Sequence, residues 1–345
     1  MSLETAVERI TLDLDRPFTI ARGTETTAEN VIVRVVDEGG MAGIGAASPA
    51  ERYGETAATV EAVLPELLSI VEDVGDPHAL SAIERRMRDA VRDNPAARAA
   101  VSIALHDLVA KRLGVPLHRL WGLDPAATPR TSYTVGLDDP DEMADRARNA
   151  VESGYPILKV KLGTDRDRER LEAVRSAAPE ATIRVDANEA WTPKEAVRKS
   201  QWLADLGVEF LEQPVPAENP EGLRFVYERS ALPIAADESC VTVADVPRIA
   251  DRCDIANLKL MKAGGLREAR RMIATAHAHG LEVMIGCMIE SNASIAAAAQ
   301  LAPRCTYADL DGSLLVSGDP FEGIDLTEGR VHLETQDRPG TGVRE

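Results

Sequence analysis

Charged side chains recur at the ends of successive apolar runs, and this spacing constrains the fold more than any other feature. In chain order they are Lys159, Lys161, Asp186, Glu212, Asp237 and Lys259. Each step from one run to the next is about as long as one strand-plus-helix unit of a (β/α) barrel. Because the active site of such a barrel forms at the carboxyl ends of its strands, the spacing predicts that these side chains converge there.

Eight evenly spaced strands are predicted from Thr131 onward, with helical segments between them. They span residues 131–135, 157–162, 182–186, 208–212, 233–237, 255–259, 282–286 and 306–310. This alternation favours an α/β fold with a closed barrel over an open doubly wound sheet. No GxGxxG motif follows any of these strands, which argues against a dinucleotide-binding domain. No clear helix follows the eighth strand, so the last unit is expected to be truncated.

The first third of the chain lacks this alternation and predicts a separate α+β domain. Its predicted elements are paired strands at 5–15 and 31–36 and helices at about 56–73, 78–90 and 95–112. The predicted domains are residues 1–125, the barrel at 126–318, and a tail at 319–345 that returns to the first domain.

The composition excludes several classes of partner. A net charge of −18 argues against nucleic acid, since no basic stripe is present to neutralise phosphates. No run of about 18 apolar residues predicts a membrane span. Residues 1–16 are too charged for a signal peptide, so a cytoplasmic enzyme is expected. The four cysteines show no CxxC spacing and are expected to be reduced. The oligomeric state stays open, a homo-oligomer included.

Lysine is scarce, and its placement indicates acid–base chemistry. Only seven of 39 basic residues are Lys, and four of these lie within residues 159–161 and 259–262. Lys can be tuned to lose its proton, whereas Arg cannot. Alternation along a strand places Lys159 and Lys161 on the same side, where their repulsion is expected to lower a pKa and create a base. The pair alone is also compatible with two solvated lysines.

Three carboxylates on adjacent predicted strands indicate a metal site. If these side chains meet inside a barrel, their negative charges must be balanced by positive charge. A bound cation is therefore expected at Asp186, Glu212 and Asp237. A site made only of oxygen ligands suits Mg²⁺ or Mn²⁺ better than zinc. Asn188 and Glu238, which neighbour two of the ligands, are predicted to support them from outside.

The strand order also predicts two opposed lysines. Strands 2 and 6 lie on opposite sides of an eight-stranded barrel, with strands 3 to 5 on one arc between them. Lys161 and Lys259 are therefore expected to face a metal-bound substrate from opposite sides. This geometry suits removal of a proton next to a carboxylate on one face and delivery of a proton on the other, with inversion of the centre.

These motifs resemble the enolase superfamily, specifically its muconate lactonizing enzyme-like subgroup. The subgroup's Lys-x-Lys motif, metal ligands and second base correspond to Lys159/Lys161, Asp186/Glu212/Asp237 and Lys259. The resemblance covers nearly the whole chain and implies an α+β capping domain followed by a (β/α)7β barrel. It also implies a Mg²⁺-dependent two-base 1,1-proton transfer through a metal-stabilised enediolate.

The end of the eighth predicted strand indicates the substrate class. Asp309 and Asp311 share one face, and the pair resembles the Asp-x-Asp motif that binds the amino terminus in dipeptide epimerases. The resemblance implies epimerisation of an L-Ala-D/L-Glu-like or other L,L-dipeptide. Arg22 matches a capping-loop position that contacts the substrate side-chain carboxylate in alanyl-glutamate epimerases. Thr134 is predicted to line the barrel mouth. A solvated acidic turn is the simpler interpretation of the aspartate pair.

Several alternatives stay open at this point. An o-succinylbenzoate synthase, N-succinyl amino acid racemase or cycloisomerase would use the same enediolate but give Asp309 and Asp311 no clear role. A Schiff-base lyase would use one lysine and leave the three carboxylates unexplained. A non-catalytic acidic binding protein would be inert toward every candidate substrate. The sequence assigns no role to Glu290 or Lys262 and does not identify the preferred dipeptide.

Overall fold

The structure, a computed structural model, describes residues 2–345 and contains two sheets. The first is antiparallel, with strand order β12-β1-β2-β3. Its strands are β1 (Leu3–Ile20), β2 (Gly23–Asp37), β3 (Ala42–Ala47) and β12 (Val316–Ser317). Pairing of Val316 with Leu14 returns the chain to this sheet after the last barrel strand. The predicted domain boundaries themselves stay a prediction.

The helices of the first domain begin at or close to their predicted starts. They are α1 (Ala57–Val74), α2 (Leu80–Ala90), α3 (Pro95–Leu113) and the short α4 (Leu117–Leu120). Thr56 caps α1 by accepting a hydrogen bond from the Thr59 backbone, and the Thr59 hydroxyl accepts one in return from the Thr56 N–H. Pro95 occupies the first turn of α3, where its missing N–H is not needed.

Strand β3 was not predicted, because its Gly- and Ala-rich sequence shows no alternation of polar and apolar residues. Two of its glycines face helix α3 at very close range. A Cβ atom at Gly43 would lie 2.1 Å from the Ala104 carbonyl oxygen, and one at Gly45 would lie 2.1 Å from that of Ala100. The strand therefore lies against the helix backbone at a distance that no other residue type permits.

The second sheet is a parallel eight-stranded barrel, as predicted, and its strands follow the chain order. They are β4 (Tyr133–Val135), β5 (Ile157–Lys161), β6 (Thr182–Asp186), β7 (Val208–Glu212), β8 (Ile234–Ala236), β9 (Ile255–Lys259), β10 (Glu282–Gly286) and β11 (Tyr307–Asp309). A parallel bridge between Thr131 and Ala308 connects the first and last strands. The barrel is thus nearly closed, with the strand ends gathered at one mouth.

Helices separate the barrel strands up to β11. They are α5 (Pro140–Glu152), α6 (Asp167–Ala177), α7 (Pro193–Asp205), α8 (Pro220–Tyr227), α9 (Val246–Ile249), α10 (Leu260–Ala263), α11 (Leu266–Ala278) and α12 (Asn292–Ala299). Directly after β11 comes a 3-10 turn at Gly312–Leu314 in place of an α-helix, which confirms the truncated last unit of a (β/α)7β barrel. Across residues 2–345, none of the helices has the length and hydropathy that crossing a membrane would require.

The core that joins these layers is aliphatic. One large cluster of buried Val, Leu, Ile and Ala side chains runs through both the first domain and the outside of the barrel. All four cysteines are buried and free, in agreement with the expectation that they are reduced.

The close contact of β3 with α3 gives a stability prediction. Gly45→Ala should lower the free energy of unfolding by about 1–3 kcal/mol, because the added methyl group overlaps the Ala100 carbonyl. Urea denaturation followed by circular dichroism measures the change. Gly23→Ala is the matched control, since a Cβ there meets nothing within 4 Å and should change stability by less than about 0.5 kcal/mol. Equal stability of Gly45→Ala and the unaltered protein would contradict the packing argument.

Candidate active site

The predicted site residues converge on one cavity at the carboxyl ends of the barrel strands. The cavity has a volume of about 790 Å³ and is covered by loops of the first domain. Its lining includes ten of these residues: Arg22, Thr134, Lys159, Lys161, Asn188, Asp237, Glu238, Lys259, Asp309 and Asp311. Asp186 and Glu212 are fully buried behind this lining. The structure therefore brings all the predicted residues together, while their individual roles stay predictions.

Asp186, Glu212 and Asp237 form the acidic cluster that the sequence predicted. One carboxylate oxygen of each lies within 4.8 Å of the others, and all three side chains are buried. Glu212 Oε2 has no hydrogen bond from any described residue, although Lys159 Nζ lies 2.9 Å away. Burial and the Asp186 carboxylate raise the pKa of Glu212 to about 7. Three buried carboxylates are hard oxygen donors of the kind that Mg²⁺ prefers, so this cluster would hold Mg²⁺.

Two asparagines orient ligands of the cluster. Asn188 donates its backbone N–H to Asp186 Oδ1 over 2.8 Å and its side-chain amide to Oδ2 over 3.2 Å, as expected of a supporting residue. Asn257 Nδ2 donates to Glu212 Oε1 over 2.7 Å, a contact that the sequence analysis missed. The sequence did carry a signal for this residue. Asn257 lies two residues before Lys259 on the same strand, so the two side chains point to the same side of the sheet.

Lys262 and Glu290, whose roles the sequence left open, both stabilise loops beside the cluster. Lys262 pairs with Asp237 Oδ1 and also donates to the carbonyl oxygens of Asp237, over 2.7 Å, and Asn257, over 2.9 Å. Lys259 and Lys262 outweigh burial and hold the pKa of Asp237 far below its usual range. Glu290 accepts a hydrogen bond from the Met288 N–H over 2.8 Å, and burial raises its pKa to about 7. Its carboxylate thus folds back onto its own loop.

Lys161 and Lys259 approach the cluster from two sides. Lys161 Nζ lies 2.7 Å from Asp186 Oδ2, and Lys259 Nζ lies 2.9 Å from Asp237 Oδ2. Their strands, β5 and β9, are four apart in the barrel. Burial opposes the ammonium charge of Lys259, but Asp237 outweighs it and raises the pKa of that lysine above its ordinary value. The two ammonium groups thus contact opposite ends of the cluster.

Lys159 is a fixed cation at the floor of the cavity. Its Nζ lies 2.7 Å from Asp309 Oδ2, 2.9 Å from Glu212 Oε2 and 3.4 Å from Asp186 Oδ2. Burial opposes the charge, but these carboxylates outweigh it and hold the pKa of Lys159 well above its ordinary value. Repulsion between the two lysines was expected to lower the pKa of one of them, and Lys159 is not that one, because three carboxylates surround its ammonium group.

Asp309 and Asp311 differ in their partners. Asp309 accepts hydrogen bonds from Lys159 and, over 2.5 Å, from the Ser132 hydroxyl, and Lys159 outweighs burial to lower its pKa to about 2. Asp311 accepts one from the Thr134 N–H over 2.6 Å but forms no ion pair with any residue of 2–345. Burial and the neighbouring Asp309 raise the pKa of Asp311 to about 7. Asp311 is thus a buried carboxylate in the cavity wall that lacks a cation.

Arg22 lies at the cavity rim on the turn between β1 and β2. Its Nη1 is 2.8 Å from Glu238 Oε1, 3.1 Å from Glu189 Oε2 and 3.0 Å from the Asn188 carbonyl oxygen. Glu238 therefore pairs with Arg22, a contact that the sequence did not predict, and its support of the cluster ligands stays a prediction. Within residues 2–345, no acceptor takes a hydrogen bond from Arg22 Nε or Nη2, so this edge of the guanidinium can meet a ligand.

The fold and the site together define the class of protein. It is a barrel enzyme in which three carboxylates would hold a metal ion and the first domain covers the cavity. One family model, described as the mandelate racemase / muconate lactonizing enzyme N-terminal domain, matches residues 3–122. A second, described as enolase C-terminal domain-like, matches residues 142–344. The chain belongs to the mandelate racemase / muconate lactonizing enzyme family of the enolase superfamily. The family resemblance seen in the sequence motifs is confirmed.

Similar proteins cover nearly all of the chain. The L-Ala-D/L-Glu epimerase of Bacteroides thetaiotaomicron is 41% identical over 335 residues, which are 96% of this chain and 85% of that protein. The L-Ala-D/L-Glu epimerase of Escherichia coli is 39% identical and covers 93% of this chain and 96% of its own length. The structure of a dipeptide epimerase from Enterococcus faecalis complexed with Mg and L-Leu-L-Tyr matches with a TM-score of 0.93, 35% identity and full coverage of both chains.

The cluster geometry predicts that Mg²⁺ stabilises the folded protein. At free Mg²⁺ of about 100 times Kd, the free energy of unfolding should rise by about 2.7 kcal/mol, because binding only to the folded state adds RT ln(1 + [L]/Kd). Thermal melting with Mg²⁺ and with EDTA, at matched ionic strength, measures the shift. Glu212→Gln should melt with a much smaller Mg²⁺ effect. An equal shift in both proteins would place the cation elsewhere.

Proposed function

We propose that this protein is an isomerase that epimerises dipeptides in a Mg²⁺-dependent reaction at the α-carbon of the C-terminal residue. The relatives described above are named L-Ala-D/L-Glu or dipeptide epimerases, and the similar structure holds Mg and a dipeptide. The site supplies the acidic cluster, the opposed lysines and the acidic pair that such a reaction needs.

This proposal rests on how four groups are arranged around the barrel mouth: the acidic cluster, the acidic pair, Lys161 and Lys259. Strand β7, at the centre of the cluster, lies four strands from β11, which ends at Asp309 and is followed by Asp311. Strands β5 and β9, which bear the two lysines, are also four apart and lie across the other diameter. A dipeptide with its carboxylate at the cluster and its ammonium at Asp311 would span the first diameter. Its α-carbon would then lie between Lys161 and Lys259.

Lys161 and Lys259 perform the proton transfers in this mechanism. The neutral amine on one side removes the α-proton, and the ammonium on the other side returns a proton to the opposite face, which inverts the centre. In the reverse direction the two lysines exchange roles. Lys159 stays protonated and supplies a permanent positive charge beneath the substrate. When bound to the three carboxylates, Mg²⁺ supplies positive charge that stabilises the negative charge developing on the substrate carboxylate.

Asp311 and Arg22 are the proposed recognition residues. An ammonium between Asp309 and Asp311 would give Asp311 the cation that it lacks within the protein. The uncommitted edge of Arg22 supports contact with a carboxylate on the substrate side chain, as in an L-Ala-D/L-Glu-like dipeptide.

A cytoplasmic location stays a prediction.

The alternative reactions have less support from the site. Substrates of the N-succinyl or o-succinylbenzoate type carry no free ammonium and would leave Asp311 buried without a cation. A Schiff-base lyase would have no use for the buried cluster of Asp186, Glu212 and Asp237. The epimerase mechanism uses both features.

The opposed lysines predict a specific isotope pattern. Lys161→Ala and Lys259→Ala should each lose epimerisation by at least about 100-fold, since each removes one of two positioned acid–base groups. In D₂O, each variant should still exchange the α-proton of one epimer only, and opposite epimers for the two variants. NMR of a dipeptide library in D₂O measures this exchange. Addition of EDTA to the same reactions should abolish the exchange.

Lys194→Ala provides the control, because Lys194 is an exposed lysine on α7 away from the cavity. It should epimerise and exchange like the unaltered protein. Epimerisation at the normal rate by Lys259→Ala would exclude the two-base mechanism. Full activity of metal-stripped protein would exclude the Mg²⁺ requirement.

The acidic pair predicts how the substrate amino terminus is recognised. Asp311→Asn should lower kcat/KM for a dipeptide by about 10- to 100-fold, because a charge-assisted hydrogen bond contributes about 1.5–3 kcal/mol. Turnover of the N-acetyl analogue should change little, since its acylated nitrogen carries no charge. The comparison is steady-state kinetics of both proteins on both substrates. Equal losses on the two substrates would make the pair structural and withdraw the dipeptide assignment.

A further inference from the structure

Glu189 follows the acidic-cluster strand β6 and contacts two separate loops of the first domain. We call these the capping loops: residues 18–25, at the turn between β1 and β2, and residues 50–56, which precede α1. Arg22 Nη1 of the first loop lies 3.1 Å from Glu189 Oε2. Arg52 of the second loop donates through Nε to Oε2 over 2.7 Å and through Nη2 to Oε1 over 2.8 Å. One carboxylate thus accepts from both loops.

We propose that Glu189 is a positioning residue that holds both capping loops closed over the cavity. Both loops contribute lining residues, so their position sets the shape of the space above the acidic cluster. The proposal deepens the proposed function, and its kinetic part rests on that function.

The barrel holds the Glu189 side chain rigidly from below. Glu189 and the preceding Asn188 have φ angles of 71° and 43°, in the left-handed region that non-glycine residues rarely occupy. Such conformations persist where the surroundings fix them. The Glu189 N–H donates to the Gln213 carbonyl over 2.8 Å, and Oε1 accepts from the Ala217 N–H over 2.8 Å. The carboxylate is therefore fixed on the barrel rim before any loop contact forms.

The same segment also orients a ligand of the acidic cluster. Asn188 donates two hydrogen bonds to Asp186, while its carbonyl oxygen accepts from Arg22 over 3.0 Å. Residues 186–189 therefore connect the cluster directly to the capping loops. If the first loop moves away from Glu189, it also loses the contact of Arg22 with Asn188, the residue that holds Asp186.

The other contacts of the loop tips each hold one loop only. Arg22 also pairs with the buried Glu238 over 2.8 Å, but no ion pair or hydrogen bond of residues 2–345 joins Glu238 to the second loop. Arg52 also pairs with Glu218 over 2.7 Å, but that side chain is 71% exposed, and exposed pairs contribute little. The base of the first loop is held by a hydrogen bond from the Leu137 N–H to the Thr19 carbonyl over 2.8 Å. Glu189, whose side chain is only 9% exposed, is the anchor that the two loops share.

Hydrogen exchange of Glu189→Gln, with Mg²⁺ and without substrate, tests the proposal. Backbone amides of both loops are hydrogen bonded within the loops, so their exchange reports on loop opening. Exchange in residues 18–25 and 50–56 should accelerate by about 5-fold or more. In kinetics, KM for a dipeptide should rise by about 10-fold with a smaller change in kcat, since closure contributes mainly to substrate binding. The Kd for Mg²⁺, measured by calorimetry, should stay within about 2-fold.

Two matched controls separate the shared anchor from a general effect of lost charge. Glu218→Gln removes only the exposed partner of Arg52, and Glu228→Gln removes an exposed partner of Arg224 and Arg229 beside α8. Both should leave exchange of the first loop unchanged. If Glu189→Gln does not fold, Arg52→Gln removes the same pair from the other side and should loosen the second loop.

Unchanged exchange in either loop of Glu189→Gln, or an equal acceleration in Glu228→Gln, would overturn the proposal. Because exchange is measured without substrate, the outcome does not depend on catalysis. Accelerated exchange in a protein whose unaltered form turns over no dipeptide would support the role of Glu189 and reject the epimerase assignment.

Discussion

The burial of three carboxylates on neighbouring strands is the constraint on which the rest of the site depends. Each is almost inaccessible to water, so their mutual repulsion is not screened by solvent and requires positive charge nearby. That charge comes from four lysines, each with Nζ in contact with a cluster carboxylate: Lys159, Lys161, Lys259 and Lys262. Two of these lysines are the proposed bases, so the groups that make the cluster tolerable are also the groups that face the substrate.

The cavity combines a floor that is built into the barrel with a cover that belongs to the other sheet. The floor is held by buried ion pairs and by Asn188 and Asn257, which leave the cluster little freedom. The cover is fastened at its tips by arginines that are about one-third exposed. Their partners Glu189 and Glu238 are nearly buried, so a few ion pairs join the cover to the barrel above the cluster.

Barrel strands were predictable because a strand buried on both faces is a short apolar run that ends in a charge. Strand β3 was not, since Gly43 and Gly45 replace side-chain packing by backbone contact with α3, and the sequence carries no signal for that contact. The same limit applies to Lys262 in α10, whose partner Asp237 follows strand β8. Strand parity predicted that Asp309 and Asp311 share a face, but not that Lys159 neutralises only the first of them.

The sequence by itself determined the fold class, the strand-end position of each charged residue and the family, because strand alternation and the order of strand ends are local properties of the chain. Only the tertiary structure decided which charges meet. One lysine of the Lys159/Lys161 pair was expected to lose its proton more easily, but only the structure shows that Asp309 and Glu212 lie within 2.9 Å of Lys159 and hold its pKa above the ordinary value. Coulomb interactions depend on distances across the barrel, and those distances exist only after the strands have closed around the site.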